Sequence, residues 1–368
     1  MASVMRPTHM AADGMNMMRN SATHHRASGV PLLEVRDLHT HFLGDQGTVR
    51  SVDGVSLAVQ DGRTLCIVGE SGSGKSVTAR SILQIVDPPG RIVSGQVLLR
   101  ERPETLRTER LDITTLDAKG KRMRGVRGRR IAMIFQEPMA SLSPVHTIGW
   151  QIGEGIALHS DADANEVRSR TLDMLMKVGI PNPERRIDAY PFQLSGGMRQ
   201  RAMIAMALSC GPDLLIADEP TTALDVTTQA QILDLLRDLQ ATMGMAIIFI
   251  THDLGVVAEI ADDVAVMYLG RVVEQAPVDD IFHAPQHPYT RALLESVPRV
   301  GMRGQELHAI WGSVPDPHSR PPGCSFHTRC GAFMPGHCDR TDPPVVTTGT
   351  GHHVRCLLYG REAAADAT

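Results

Sequence analysis

The sequence predicts an α/β fold: a mostly parallel sheet with helices on both faces, an antiparallel β subdomain ahead of it and a small extension behind it. Three observations carry this. Short, fully apolar runs alternate with stretches of helical periodicity, as βαβ units require. One such run, Leu65-Cys66-Ile67-Val68, passes directly into a Gly/Ser loop and then a helix. After about Pro285 the composition shifts to Pro, His, Gly and Cys, with few periodic segments.

Taken in order, residues 1–30 are rich in Met, His, Ser and Ala without the apolar core of a secretory signal, and are expected to be a disordered leader. Order is expected from Pro31. Short apolar segments up to Gln60-Asp61-Gly62 read as a partly antiparallel sheet. Leu65–Val68 is a buried strand, a helix runs from Ser76 to Val86, and Ile131–Phe135 is another strand. The basic run from Lys119 to Arg130, inside a segment from Arg100 to Arg130, lacks interleaved aromatics. It is expected to be an exposed insertion rather than a nucleic-acid surface. From Thr147 to Ile180 the pattern is helical, with Leu172, Leu175, Met176 and Val178 near one face. Leu214–Ala217, Ala246–Ile250 and Val264–Leu269 are further buried strands. Asp225 starts a helix whose apolar stripe is Ile232, Leu233, Leu235, Leu236 and Leu239.

The bulk numbers narrow the function classes. With 42% apolar residues the 368-residue chain can bury a large core, and its net charge of −4 gives no general pull toward nucleic acid or anionic lipid. No run approaches the roughly 20 apolar residues of a membrane helix. The chain is therefore expected on the cytoplasmic side, with any membrane role exercised through partners.

Gly69-Glu70-Ser71-Gly72-Ser73-Gly74-Lys75-Ser76 fits G-x-x-x-x-G-K-S/T between a strand and a helix. Glycines let successive N–H groups curl around phosphate oxygens, and the helix adds its positive N-terminal end. Lys75 can reach the β- and γ-phosphates, and the Ser76 hydroxyl can ligate Mg²⁺. The pattern resembles the phosphate loop of P-loop NTPases, which implies a RecA-like core; the alternative is a Gly-rich βα turn with no ligand. Leu214 to Ala217 ends in Asp218-Glu219-Pro220. Asp218 is placed to hold Mg²⁺ through its water shell, and Glu219 to orient or deprotonate the attacking water.

Leu194-Ser195-Gly196-Gly197-Met198-Arg199-Gln200-Arg201 resembles the signature of ABC ATPases. Taken alone, an S-G-G at a helix start can be a mere cap. In ABC proteins this stretch meets the γ-phosphate of ATP held by the opposite subunit, so the resemblance implies that Ser195, Gly196 and Gly197 contact ATP across a dimer. Phe135-Gln136-Glu137-Pro138 resembles the Q-loop, with Gln136 touching the metal and attacking water. Thr222-Ala223-Leu224-Asp225 resembles the D-loop along the dimer seam. Ile250-Thr251-His252-Asp253 resembles the switch-histidine segment, with His252 on the γ-phosphate. Phe42 resembles the aromatic that stacks on adenine, and can equally be strand core.

Within that family the chain is most similar to the peptide importers of oligopeptide, dipeptide and nickel-peptide type. Phe135 to Pro144 (FQEPMASLSP), Tyr190 to Leu208 (YPFQLSGGMRQRAMIAMAL) and Pro285 to Thr290 (PQHPYT) carry this likeness. Ser143 stands where Asn is more usual and Phe192 where His is common. The resemblance spans about Leu32 to Tyr359. It implies a nucleotide-binding domain over 31–284, with a helical subdomain at about 139–200, and a C-terminal extension over 285–368. It also implies an ATPase that powers peptide import, with ATP and Mg²⁺ as cofactors. The implied partners are two transmembrane permease subunits, a second ATPase subunit and, indirectly, an extracytoplasmic solute-binding protein, at the cytoplasmic face of a bacterial inner membrane. Other cargoes (nickel, glutathione, opines) and a soluble non-transport role are the alternatives.

Cys66 and Cys210 lie in apolar surroundings and read as small core residues. Cys324, Cys330, Cys338 and Cys356 cluster near the C-terminus with spacing C-x5-C-x7-C-x17-C, without close C-x2-C pairs. Four thiolates in an irregular loop can hold an iron–sulfur (4Fe–4S) cluster or one Zn²⁺, or stay unmetallated. The resemblance implies the 4Fe–4S cluster.

Overall fold

The computed structural model describes residues 29–45, 47–102, 110–136, 141–222, 224–296 and 310–359. Nearly all of the expected leader, Glu137–Ala140 of the Q-loop region, Ala223 of the D-loop and parts of the 100–130 and C-terminal segments therefore lie outside the described residues.

The first half of the chain runs β1 (Leu33–Gly44), β2 (Gly47–Val59), β3 (Thr64–Val68), α1 (Lys75–Ile82), β4 (Gly90–Arg100), β5 (Arg110–Asp112), α2 (Lys121–Val126) and β6 (Ile131–Ile134). Three helices follow: α3 (Ile148–His159), α4 (Ala164–Lys177) and the short α5 (Pro183–Arg186). Then come α6 (Gly196–Leu208), β7 (Leu214–Asp218), α7 (Val226–Met243), β8 (Ala246–Ile250), α8 (Leu254–Ile260), β9 (Asp263–Tyr268) and β10 (Arg271–Pro277). The chain closes with α9 (Val278–His283), α10 (Pro288–Glu295), β11 (Val346–Gly349) and β12 (His352–Val354).

Two sheets result. One is antiparallel, in the order β2-β1-β4-β5, and the other is mixed, in the order β11-β12-β10-β9-β3-β8-β7-β6. The β9, β3, β8, β7, β6 stretch is parallel throughout. These strands read as continuous apolar runs because both of their faces are covered. Side chains alternate across the sheet. Cys66, Leu215, Ala217, Ile247 and Phe249 face the core shared with α3, α4, α6, α7 and α8. Leu65, Ile67, Leu214, Ile216, Ile248 and Ile250 face the core shared with α1, α2 and the antiparallel sheet.

The helical stretch expected from Thr147 to Ile180 is two helices. Thr147 caps α3 by accepting from Trp150 N, and Asp163 starts α4 by accepting from the N–H groups of Asn165 and Glu166. The buried face of α4 is Thr171, Met174 and Leu175, continued by Val178. Met176, expected on that face, is 52% exposed, because it falls off the 3.6-residue spacing that the others keep. The described part of the Arg100–Arg130 segment, residues 100–102 and 110–130, also departs from expectation, since it packs into a core rather than forming a solvated insertion. Ile113, Met123 and Val126 are buried in the second core. Arg127 donates to the carbonyls of Leu83, Gln84 and Ala118, which fixes the segment to the end of α1. Cys66 is buried as expected, whereas Cys210 is only half-buried beside Ser209.

The end of the chain adds strands to the main sheet through β12 against β10. A fully buried carboxylate staples it there. Glu274 accepts from the N–H of Gln286 at 2.7 Å and of His287 at 2.9 Å, and meets His352 Nε2 at 2.8 Å. Among the described residues no helix is long and apolar enough to cross a membrane.

Candidate functional site

The loop between β3 and α1 is shaped by its glycines. Gly69, Gly72 and Gly74 all have positive φ, where a side chain is strained. A Cβ on Gly69 would lie 2.2 Å from Met267 O, and one on Gly74 would lie 2.2 Å from Ser51 O. Those two glycines let the loop press against β9 and β2. Gly72 meets nothing within 4 Å, so it bends the loop over open space. Lys75 is buried and its Nζ donates to the carbonyls of Gly69 at 2.7 Å and Glu70 at 3.0 Å. Burial lowers the Lys75 pKa, while the charges of Glu219, Asp218 and Glu70 oppose that shift. The carbonyl contacts hold the Lys75 amino group at the mouth of the glycine-shaped loop.

The strand ends converge beside it. Ser76 Oγ donates to Asp218 Oδ1 at 2.9 Å, which brings together two of the three residues expected at Mg²⁺, the third being Gln136. Burial raises the Asp218 pKa, the Ser76 hydrogen bond lowers it, and Glu219 raises it again. A buried carboxylate beside a hydroxyl is an oxygen donor set suited to a hard divalent cation, whose charge would offset the burial. Glu219 has φ of 48°, in the left-handed region that a bulky side chain rarely adopts. Its N–H is tied to Ile250 O at 2.9 Å, so β7 and β8 together impose the turn. Its carboxylate accepts from Gln136 Nε2 at 3.0 Å and Thr222 Oγ1 at 3.0 Å, and faces His252 Nδ1 at 3.3 Å. The three expected catalytic residues, Glu219, His252 and Gln136, are therefore in one hydrogen-bonded group. Thr222 joins them in a role that sequence reasoning did not assign.

Three expected contacts point elsewhere within this chain. Ser195 is exposed and caps α6 by accepting from Met198 N, while Gly196 beside it meets nothing within 4 Å. The hydrogen bonds of Asp225 are local too: it caps α7 through Thr228 N and Oγ1. The Thr228 hydroxyl, then its backbone N–H, lowers the Asp225 pKa. Phe42 lies in β1, partly buried, with its ring edge against Gly90: a Cβ there would fall 2.6 Å from Phe42 Cε1.

The chain's last part reaches this site. Tyr289 Oη accepts from Glu70 N at 2.9 Å, and Arg329 pairs with the Glu70 carboxylate. Glu70, Tyr289 and Arg329 were not expected at the site. The x positions of a phosphate loop carry no sequence signal, and an Arg in a Pro-rich tail looks like any surface Arg. All four clustered cysteines are free thiols, with Cys338 and Cys356 buried and Cys324 and Cys330 half-buried. Burial, and then the neighbouring Cys356, Cys330 and Cys338, push the Cys324 thiol up to about 11, so the four sense one another. His39, His41 and Asp53 also gather their ligand atoms within 4.8 Å. Arg271 and Arg320 already pair with Asp53, so this group anchors the tail and has no charge left for a cation.

Comparison with known proteins places this geometry. The family described as "ABC transporter" matches residues 52–222, and "Oligopeptide/dipeptide transporter, C-terminal region" matches residues 273–338. A probable peptide ABC transporter ATP-binding protein of Sinorhizobium fredii is 52% identical over 88% of this chain and 94% of its own length. The dipeptide transport ATP-binding protein DppD of Bacillus subtilis is 48% identical over 90% of this chain and 96% of its own. Among solved structures, a dimeric bacterial ABC transporter cassette superposes with a TM-score of 0.57. It is 25% identical and covers 67% of this chain and 98% of that one.

Proposed function

The chain belongs to the ABC transporter ATP-binding proteins of the oligopeptide/dipeptide importer family, and from that premise we propose how its residues power transport. ATP lies over the phosphate loop of one subunit and under the exposed Ser195–Gly197 helix start of a second. The Ser195 hydroxyl caps its own helix by accepting from Met198 N, and the helix start is exposed and open to a second subunit. The dimeric state of the similar cassette supports this pairing. Phe42 stacks on the adenine, Gly69 to Ser76 cradle the phosphates, and Asp225 lines the seam. Ser76, Asp218 and Gln136 hold Mg²⁺, which supplies charge neutralisation at the phosphates.

One observation carries the chemistry: the Glu219 carboxylate is locked by Gln136, Thr222 and His252 next to the Ser76–Asp218 pair. Glu219 takes the proton of the attacking water, and His252 and Gln136 fix the orientation in which it does so. ATP closes the pair because only the closed form offers both helix ends. The Q-loop side passes that movement to two membrane permeases, with peptide delivered by an extracytoplasmic binding protein. Peptide cargo is supported by the relatives' names and by the matching C-terminal region, and a place at the cytoplasmic membrane face follows from powering permeases with ATP. The test is ATP hydrolysis in the complex reconstituted with its permeases. Glu219→Gln should bind ATP normally and lose at least about a hundredfold in turnover. Unchanged hydrolysis would remove Glu219 from the mechanism.

We propose further that Cys324, Cys330, Cys338 and Cys356 hold a 4Fe–4S cluster that staples the extension. Among the described residues no three of these sulfurs lie within 4.8 Å of one another. The cluster reading rests on four neighbouring, partly buried thiols and on the family resemblance. Anaerobic purification should yield iron, sulfide and an absorption band near about 400 nm. Stoichiometric zinc without iron would reject the cluster.

A further inference from the structure

Arg329 lies in a 3-10 turn, His327–Arg329, of the C-terminal extension, yet its charge is spent on the phosphate loop. Nη1 donates to Glu70 Oε2 at 2.7 Å and Nη2 to Oε1 at 3.1 Å, a two-pronged pair with the Arg329 side chain only 4% exposed. Nη1 also donates to the Tyr268 hydroxyl at 3.4 Å, and Nε to Trp311 O at 3.2 Å. The guanidinium is therefore fixed on several sides.

Glu70 is committed at every polar group. Its N–H donates to Tyr289 Oη at 2.9 Å, its carbonyl accepts from Lys75 Nζ at 3.0 Å, and its carboxylate takes Arg329. A carboxylate in a loop that gathers phosphate anions is a liability, since like charges a few ångströms apart repel strongly where water is scarce. The same residue's carbonyl also holds the ammonium that must meet the phosphates.

We propose that Arg329 is a positioning residue for ATP binding. It neutralises Glu70 and, with Tyr289, holds the Glu70 carbonyl where it steers Lys75, so that nucleotide affinity depends on the C-terminal extension of the same chain. This rests on the reading that the loop holds ATP, and it adds a contribution from outside the nucleotide-binding motifs. Cys324 and Cys330 bracket the Arg329 turn, and Cys324 N–H bonds Cys338 O at 2.8 Å. The thiol-bearing loops are thus the support on which the guanidinium stands.

The test measures ATP affinity of the full chain in Mg²⁺ by calorimetry, alongside the thermal stability of the nucleotide-free protein. Arg329→Met keeps the aliphatic stem and removes the charge, and should weaken ATP binding about tenfold. Adding Glu70→Gln to that variant removes the uncompensated charge, and should restore affinity to within about threefold of wild type while the thermal stability stays lowered. A purely structural clamp cannot give that rescue. Glu70→Gln alone removes a negative charge from the loop and should bind ATP about two- to threefold more tightly than wild type. The proposal fails if Arg329→Met binds ATP like wild type, if Glu70→Gln fails to rescue it, or if Glu70→Gln alone binds more weakly. A wild-type chain that takes up no ATP would instead sink the functional reading itself.

Discussion

Replacing Asp53 by Asn tests how the tail is fastened beneath the nucleotide site. Asp53 lies in β2, two residues after the Ser51 carbonyl that abuts Gly74. Its carboxylate pairs with Arg271 of β10, at 2.9 Å from Nε, and with Arg320 of the extension. Arg320 also donates to the carbonyls of Arg50 and Leu269. Burial raises the Asp53 pKa, but the Arg271 hydrogen bond and the charges of Arg320 and Arg271 more than reverse this and bring it from 3.8 to about 2. At about 1.4 kcal/mol per tenfold change in proton affinity, that difference stands for roughly 2.5 kcal/mol of folding stability. The folded pKa is depressed, so the contribution is complete above about 4 and is lost as pH falls toward 2. Asp53→Asn should therefore cost roughly 2–4 kcal/mol at pH 7, because Arg320 loses its carboxylate partner and Arg271 keeps only Asp342. Denaturant unfolding reads this directly. The gap between variant and wild type should narrow by about 1 kcal/mol between pH 5 and pH 3. A gap under about 0.5 kcal/mol at pH 7, or one that does not narrow in acid, would refute the clamp.

Other perturbations separate the parts of the site. Lys75→Ala should weaken ATP binding by on the order of a hundredfold while leaving the fold intact, as binding and circular dichroism together would show. Thr222→Val removes one hydroxyl donor from Glu219 Oε2. It should lower turnover about three- to tenfold with little change in KM, because the carboxylate is less well held only during chemistry. His287 caps α10 from a fully buried position, and burial drops its pKa from 6.5 to about 3. The folded protein thus refuses a proton that the unfolded chain accepts, and stability present above pH 6.5 falls between there and pH 3. His287→Asn keeps a capping acceptor without the titration, so its melting temperature should depend less on pH between 6 and 4.

The parallel sheet was legible because each of its strands is an unbroken apolar run too short for a helix, and Leu214–Ala217 and Ala246–Ile250 appear where expected. The phosphate loop was legible for a different reason: three glycines, a Lys and a Ser at fixed spacing answer a backbone geometry that few other residues allow. Long-range pairings were not legible. Nothing local distinguishes Arg329 from the tail's other arginines, and only the fold brings it to Glu70, 259 residues away. Arg127 and Arg130 read as solvated charge, whereas buried Ile113, Met123 and Val126 draw their segment into the core. Some missed signals were present. Asp163 followed by Glu166 is a helix-start pattern that marks the break before α4. The side chains proposed for catalysis, Gln136, Glu219, Thr222 and His252, come from the three loops after β6, β7 and β8, and their convergence is a property of strand order.

The most direct test of the mechanism is the distance from Ser195 Oγ to the γ-phosphate of ATP in a structure of the assembled transporter carrying Glu219→Gln with ATP and Mg²⁺. The account predicts hydrogen-bond contact, about 3 Å, with nucleotide seated on the phosphate loop of the other ATPase subunit. ATP bound on each loop, with Ser195 still facing solvent in the closed assembly, would contradict it.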